Sequence, residues 1–567
     1  MNTQKDMPMT TAQTVKVEFD DQVVERRWSD ASEKMDWTPF PVGYGILLNE
    51  RYQFPMDMAL VRAKLDTKRQ LFVDNHMIAH MQGVVRETHA AKDHPANPVF
   101  APYFNFPNFI CPDPEHGYRL YYGSAGGLLN VAYSTDGIDW QMPDLNVFDL
   151  SSIDSERFIG GANNVVASGE LHGLLFEPDD PNPDRRWKGI FEPHQGVIAG
   201  GRSVRHPAFP YQATRPQRDT SGGTPFVLCT SPDGYRWTFE AETNHRKGPF
   251  SDVVAPDHWP LGGGDVFKVR WDPKLGKYIG TTKHRIGPDH RMSPIFHAAR
   301  VVGQIESDDL VHWSAPRIIA YPDGEDAKQP KRSMHGIYEA DGYPYESMWL
   351  NNFSMSNYTP VDKKQMIERK LVANRPYLKR NWIRLAASRD GRHWYYFGDR
   401  KPFIALGDND SWKPHYLRAV NLVTTCGPIV KDDELWYYYR GGRTKGEGPR
   451  ACAMGLAILR RDGFASLNAD EDGGLVITRP FIFEGNGDLF VNADVAHDGE
   501  LRIAVVDEDT AEELDHFGRD DSVAITDDAP RTVVRWRQRD SLAELRDRYV
   551  RLAFHLRNAK LYSFWID

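Results

Sequence analysis

One short pattern recurs along this chain and constrains its fold more than any other feature. It reads Ser134-Thr-Asp136-Gly-Ile-Asp-Trp140, Ser231-Pro-Asp233-Gly-Tyr-Arg-Trp237, Ser307-Asp-Asp309-Leu-Val-His-Trp313 and Ser388-Arg-Asp390-Gly-Arg-His-Trp394. A weaker fifth copy, Arg460-Arg-Asp462-Gly-Phe464, lacks the tryptophan. The aspartates recur every 72 to 97 residues, so one supersecondary unit is being reused. Asp-Gly supplies a tight turn, because glycine accepts positive φ, and the tryptophan re-enters a sheet four residues after the aspartate. These residues are therefore read as scaffold: turn and core.

Just before each copy lies a strand-like run, such as 128–133, 225–230 and 382–387. The repeat is thus a hairpin joining the third and fourth strands of a small sheet. Two further strand candidates precede it: 105–111 and 118–122 in the first unit, 265–271 and 277–283 in the third, 421–430 and 434–439 in the fifth. Four strands repeated five times describe a five-bladed β-propeller. Two insertions interrupt it, a Pro/Arg/Gly-rich stretch at 193–223 and a basic, helix-like stretch at 360–381. After Arg479-Pro480, alternation over 489–494, 500–506, 522–525, 531–536, 550–556 and 560–566 predicts short strands of a β-sandwich. The expected class is all-β. Residues 1–90 form an extension packing on the propeller, 91–480 the propeller and catalytic domain, and 481–567 the sandwich. Within the extension, 71–78 reads as a strand.

Composition removes several function classes. With 40% apolar and 26% charged residues among 567, burying a core is straightforward. A net charge of −10, from 69 basic and 79 acidic residues without long runs, disfavours nucleic acid as partner. No apolar run approaches a membrane span, and the N-terminus lacks the basic-then-apolar pattern of a secretory signal, so a cytoplasmic location is expected. The four cysteines, Cys111, Cys229, Cys426 and Cys452, form no C-x-x-C pair and read as free buried thiols. Metal-binding motifs, G-x-G-x-x-G and Walker patterns are absent, so no metal and no cofactor are expected. The insertions and the sandwich are the places where a second copy would dock.

A five-bladed propeller followed by a sandwich resembles the glycoside hydrolase superfamily of invertases, fructanases, levansucrases and arabinanases. Leu71-Phe-Val-Asp74, His94-Pro-Ala-Asn-Pro98 and Trp271-Asp-Pro-Lys-Leu-Gly-Lys-Tyr278 look like a bacterial branch of it. The resemblance covers roughly residues 70–567 as an architecture. It implies three carboxylates near the mouths of inner strands: a nucleophile or base, an acid, and a third that steadies the sugar or tunes the acid. The invertase-like Asn-Asp-Pro-Asn motif corresponds to Asn105-Phe106-Pro107-Asn108, with phenylalanine in place of the aspartate. That departure puts the usual base in doubt.

Glycosidic cleavage needs a protonated carboxyl beside the leaving oxygen and an ionised one across the sugar. Residues opening each inner strand, and residues closing each second strand, share one axial mouth. Asp265, after Gly262-Gly-Gly264, and Glu339, after His335-Gly-Ile-Tyr338, are the expected catalytic pair, with Glu170 as third carboxylate. Glu346 is held in reserve as a turn residue. Asn105, His172, Trp259, His284, Arg285, His335 and Arg440 are the expected sugar-binding groups, Trp259 by stacking and the arginines through their planar forks. The acids of Glu177-Pro-Asp179-Asp180 are expected to be solvated in a distal loop. The leading expectation is a glycosidase acting on an oligo- or polysaccharide, with furanosides favoured by the resemblance. A glycoside phosphorylase, using cations such as Lys283 and Arg443, and a non-catalytic carbohydrate-binding propeller are the alternatives.

Overall fold

The computed structural model describes residues 14–19, 22–27, 48–49, 62–101, 106–124, 128–148, 162–192, 197–198, 202–203, 224–247, 266–286, 299–322, 326, 334–360, 377–407, 421–422, 427–441, 453–510 and 512–567. Five antiparallel sheets follow one another along the chain. Blade one is Phe106–Asp113, Gly117–Ser124, Leu128–Ser134 and Val165–Ser168, from the inner edge outward. Blade two is Glu170–Phe176, Trp187–Glu192, Thr224–Ser231 and Thr238–Lys247. Blade three is Phe267–Asp272, Lys277–Ile286, Ala299–Ser307 and Arg317–Ala320. Blade four is Met334–Tyr345, Met348–Pro360, Tyr377–Ser388 and Tyr395–Tyr396, with Leu48–Asn49 added in parallel outside. Blade five has a divided inner strand, Asn421–Leu422 and Ile429–Lys431, then Glu434–Gly441 and Ala453–Arg460.

The ring closes with a strand from the other end of the chain. Lys92–Asp93 pairs with Ala453–Arg460 as the outer strand of blade five. Asn97 extends the clasp: its side chain donates to Leu456 O and accepts from Leu456 N, both at 2.8 Å. The His94–Pro98 segment therefore belongs to the closure of the propeller.

Apolar side chains fill the gaps between blades, and five separate clusters occupy the five gaps. Phe109, Val131, Leu171 and Phe191 lie between blades one and two, and Ile190, Phe226, Phe267 and Ile305 between two and three. Val302, Ile337 and Phe353 lie between three and four, Leu385, Tyr437 and Ala457 between four and five, and Ile110, Leu120, Tyr438 and Leu456 between five and one. The last cluster makes the arrangement a closed five-bladed β-propeller, because it packs the first blade on the fifth.

The repeated motif serves these gaps. Trp237, Trp313 and Trp394 are buried in the gap between their own blade and the preceding one, and half-buried Trp140 packs at the corresponding gap between blades five and one. Phe464 of the weak fifth copy stands in the gap between blades four and five. In the four full copies the aspartate caps the turn, as in blade two, where Asp233 Oδ1 accepts from Tyr235 N and Arg236 N at 2.8 and 2.9 Å. The serine oxygen accepts from the fourth residue's N–H, at 2.9 Å for Ser231 and Gly234. That fourth residue has positive φ in each copy, +83°, +78° and +68° for Gly137, Gly234 and Gly391, and +67° for Leu310. Leucine tolerates it in the third copy because its side chain is buried in the gap between blades two and three.

Asp462 departs from this role. It is buried and accepts hydrogen bonds from Arg69 (2.7 Å), Tyr345 (2.8 Å) and Ser563 (2.6 Å). It joins the N-terminal segment, blade four and the C-terminal strand rather than capping its own turn. Of the distal acids, Asp179 is exposed as expected, whereas Glu177 and Asp180 are not simply solvated. Glu177 and Asp180 hold the buried Lys188 ammonium at 2.5 and 2.6 Å, and Tyr278 donates to Glu177 at 2.9 Å. A buried ammonium needs such partners, so the loop folds back over it. Glu346 lies in the turn between the first two strands of blade four and accepts from Arg69 N.

The C-terminal region is all-β and larger than its six predicted strands. Leu489–Asp507 and Val550–Ile566 pair as two long strands, with register breaks within 492–493 and between Val495 and Glu500. Ser522 and Ile525 make only isolated bridges. Ala63–Leu65, Gln70–Leu71, Ile78–Gln82 and Val85–Thr88 join the same hydrogen-bonded sheet. Residues 377–381, within the stretch read as helix-like, form strand, and residues 361–376 of that stretch lie outside the described residues. Cys111 and Cys229 are free, and burial pushes the Cys111 thiol up to about 12 and the Cys229 thiol higher. Cys426 and Cys452 lie outside the described residues. Among the described residues no helix is long and apolar enough to cross a membrane.

Candidate active site

All five inner strands run in the same direction, so their first residues gather at one end of the axis, together with the last residues of the second strands. Three inner strands are broken near this end by a β-bulge. Pairing passes from Tyr121–Phe109 to Tyr122–Pro107, from Leu171–Phe191 to Gly173–Ile190, and from Ile337–Met355 to Glu339–Ser354. Asn108, His172 and Tyr338 are the extra residues. A bulge re-aims side chains that a regular strand would send to the blade faces. The inner strand of blade three keeps an unbroken register.

Lys268, on that regular strand, crosses the axis. Its Nζ lies 3.3 Å from Glu339 Oε1 on blade four and 4.3 Å from the ring centroid of Phe109 on blade one. Blades one and three are not neighbours, so this contact sets Phe109, Lys268 and Glu339 at one level of the central channel. Asn108 adds a link from blade one to blade two, donating to Leu171 O at 3.2 Å. Glu339 is thus a buried carboxylate fixed by an ammonium. Beside it, the Tyr338 ring is flanked by Lys283 Nζ at 4.0 Å and Arg300 Cζ at 5.2 Å. Asp341, two residues further along, lines a crevice with Lys268, Arg270 and Thr281 between blades three and four.

Blade two contributes a second group. Glu170 opens the inner strand and Glu192 closes the next, and the two are register partners. His172 Nε2 lies 3.5 Å from Glu192 Oε2 and 3.9 Å from Glu170 Oε2. One ligand atom from each of the three fits within 4.8 Å of the others. The sequence alone does not mark Glu192 as a member of this group. Counting register back from the Phe176–Trp187 hairpin leads towards it, but only with the bulge at His172 allowed for.

Of the residues expected from sequence, the structure brings Glu170 and His172 together. His284 is placed elsewhere. Its ring lies between blades two and three, with Nε2 2.6 Å from Thr282 Oγ1 and the His245 ring 6.3 Å away. Burial holds the His284 imidazole at about 4, and burial with the neighbouring His284 holds His245 at about 3. Both rings are therefore neutral at physiological pH. Arg285 and His335 occupy strand positions opposite Arg300 and Asn357 near the mouth, and Arg440, opposite Asn421, is near the end of the second strand of blade five. Asn105, Trp259 and Asp265 lie outside the described residues.

The strand pairing defines the class, a five-bladed β-propeller with acidic, basic and imidazole groups gathered at one end of its axis. No family model matches this chain, and no curated protein matches it. Similar solved structures include an N-acetylgalactosamine deacetylase from F. plautii, 12% identical over 67% of this chain and 96% of the other, with a TM-score of 0.36. A β-1,2-mannobiose phosphorylase from Listeria innocua is 11% identical over 68% and 98%, with a TM-score of 0.35. A GH32 β-fructofuranosidase from Bombyx mori is 10% identical over 84% and 94%, with a TM-score of 0.35. The architecture rests on the strand pairing rather than on these likenesses.

Proposed function

We propose that this protein cleaves a glycosidic bond of an oligo- or polysaccharide at the axial mouth where its inner strands begin. The observation that carries this reading is the gathering of carboxylates there on separate blades: Glu339 held by Lys268, and Glu170 facing Glu192 beside His172. Glycoside cleavage asks for carboxyl groups on opposite sides of a bound sugar, and a ring of blades supplies them from different directions. Asp265 and Glu339 are the acid/base or nucleophile pair in this reading, and Glu170 is the third carboxylate, steadying the sugar. Asn105, Arg285, His335 and Arg440 hold hydroxyls, Trp259 stacks on a ring, and furanosides are the first substrates to try.

A phosphorylase is the second reading, favoured by Lys283 and Arg300 on either side of Tyr338, next to Glu339. Two cations beside the acid suit an attacking phosphate. The test is sugar release from a panel of plant and bacterial glycans, with and without phosphate. Wild type is compared with Asp265→Asn and Glu339→Gln, whose folding is followed by circular dichroism. The expected result is release that each substitution lowers about a thousandfold, in line with loss of general acid–base catalysis. Turnover only with phosphate selects the phosphorylase. Folded variants that keep full activity overturn the site assignment. Binding of glycans without cleavage by wild type leaves a carbohydrate-binding propeller, for which Phe106 at the start of the first inner strand is then the explanation.

A further inference from the structure

We infer that Glu170, His172 and Glu192 bind a divalent transition-metal ion of the zinc or manganese kind at the mouth of blade two. The spacing is the first reason. His172 Nε2 stands 3.5 Å from one carboxylate oxygen and 3.9 Å from the other. Those distances are too long for hydrogen bonds. Two ligands of a tetrahedral ion with bonds of about 2.1 Å lie about 3.4 Å apart, so the imidazole already stands near ligand spacing from both carboxylates, and the three ligand atoms, within 4.8 Å of one another, close on an ion by side-chain adjustment of the two glutamates.

The second reason is His172 itself. Its side chain is only 6% exposed, and its Nε2 is buried without a hydrogen-bond partner while aimed at the two carboxylates. A buried ring nitrogen left unsatisfied is costly, and a metal ion would satisfy it. The third reason is how the ligands are presented. Glu170 and Glu192 are cross-strand partners of one hairpin, and the bulge brings His172 to them. Sites on paired strands hold their ligands more rigidly than sites on loops.

The donor set selects the ion. One imidazole and two carboxylates suit zinc, manganese or ferrous iron, whereas calcium and magnesium prefer oxygen alone. Three protein ligands leave positions open, the pattern of a working rather than a purely structural centre. Glu170 is the more accessible of the two carboxylates, its side chain 33% exposed against 9% for Glu192, so the open side faces the mouth. There the ion would grip neighbouring hydroxyls of the sugar, a role that rests on the proposed glycosidase reading. Binding of the ion does not rest on it.

The experiment is isothermal calorimetry on the full chain, treated with chelator and dialysed, with zinc chloride and manganese chloride titrated separately and calcium chloride as comparison. One ion per chain at micromolar or lower Kd is expected for zinc or manganese, with a higher melting temperature. His172→Gln and Glu192→Gln should each weaken binding about a hundredfold or more. Glu170→Gln, at the accessible ligand, gives the same reading if either buried variant fails to fold. No binding below millimolar metal, unchanged binding in all folded variants, or tighter binding of calcium than of zinc and manganese each overturns the inference. A protein that binds the ion but cleaves no glycan overturns the proposed reaction and leaves the metal site standing.

Discussion

At the scale of single residues, the same burial has opposite consequences for imidazoles and carboxylates. His245 stacks on Phe226 with ring centroids 5.7 Å apart and faces His284. With both rings held at about 3 and about 4, the folded protein refuses protons that the unfolded chain accepts below about pH 6.5. Stability is therefore unaffected by these histidines above that pH and falls as pH drops towards 4, by about 2 kcal/mol for each histidine at pH 5. Replacing His245 by phenylalanine keeps the stack and removes the titration. Melting curves at pH 7 and pH 5 should show a smaller loss for His245→Phe than for wild type, and an equal loss would contradict the assignment. Asp74 acts in a lower window. Burial pushes its carboxyl up, but Arg389, bonded to it at 2.7 and 3.0 Å, and Tyr395 at 2.5 Å hold it well below the usual range. Its contribution is present above about pH 4 and is lost only on further acidification.

At the scale of elements, each blade's turn is fitted to a strand of the blade before it. Tyr121 of blade one donates to Gly234 O of blade two at 3.1 Å, and Tyr438 of blade five donates to Gly137 O of blade one at 2.9 Å. The second contact repeats the first across the closure of the ring. A Cβ on Gly234 would stand 2.4 Å from the Tyr121 hydroxyl and 2.6 Å from Arg119, at a φ of +78°. Gly234→Ala should cost about 2–3 kcal/mol through strain and displacement of those side chains. Tyr438→Phe, which deletes only the hydroxyl, should cost about 1 kcal/mol. Urea midpoints at constant slope would check both values, and a neutral Gly234→Ala would contradict the packing. The bulges follow the same logic of local fit. They occur in three inner strands near the mouth, where aiming a side chain at the axis matters more than an unbroken ladder.

At the scale of the whole molecule, Asp462 couples the propeller to the C-terminal sheet. Besides Arg69, Tyr345 and Ser563 it accepts from Asn492 at 3.2 Å, while the Arg69 guanidinium lies 3.8 Å from the centroid of a Trp565 ring. Arg69→Met removes the cation and leaves a buried carboxylate without its counter-charge. The expected cost is about 3–5 kcal/mol. Because the site joins two regions, the variant should unfold in two separable urea transitions in place of one. A single transition at the wild-type midpoint would show that the regions do not depend on this contact.

The propeller is legible in the repeat because the constraint there is local. A turn needing positive φ and an aromatic residue a fixed distance later recur wherever the chain makes the same bend, and the gap between blades always needs a large ring. The same local reading fails at the fifth copy, whose aspartate is claimed by partners at positions 69, 345 and 563, and at Glu177 and Asp180, claimed by Lys188. At the candidate site, Glu170 and His172 are legible as polar residues opening an inner strand, whereas Glu192 and Lys268 are not. Glu192 comes into place through a register shift of one residue, and Lys268 matters because it crosses the axis to blades one and four. Alternation, turns and blade count are decided by the sequence alone, since each depends on neighbours a few residues away. Which carboxylate meets which imidazole or ammonium is decided only by the tertiary structure, because bulges and the closing of the ring bring together side chains from different blades.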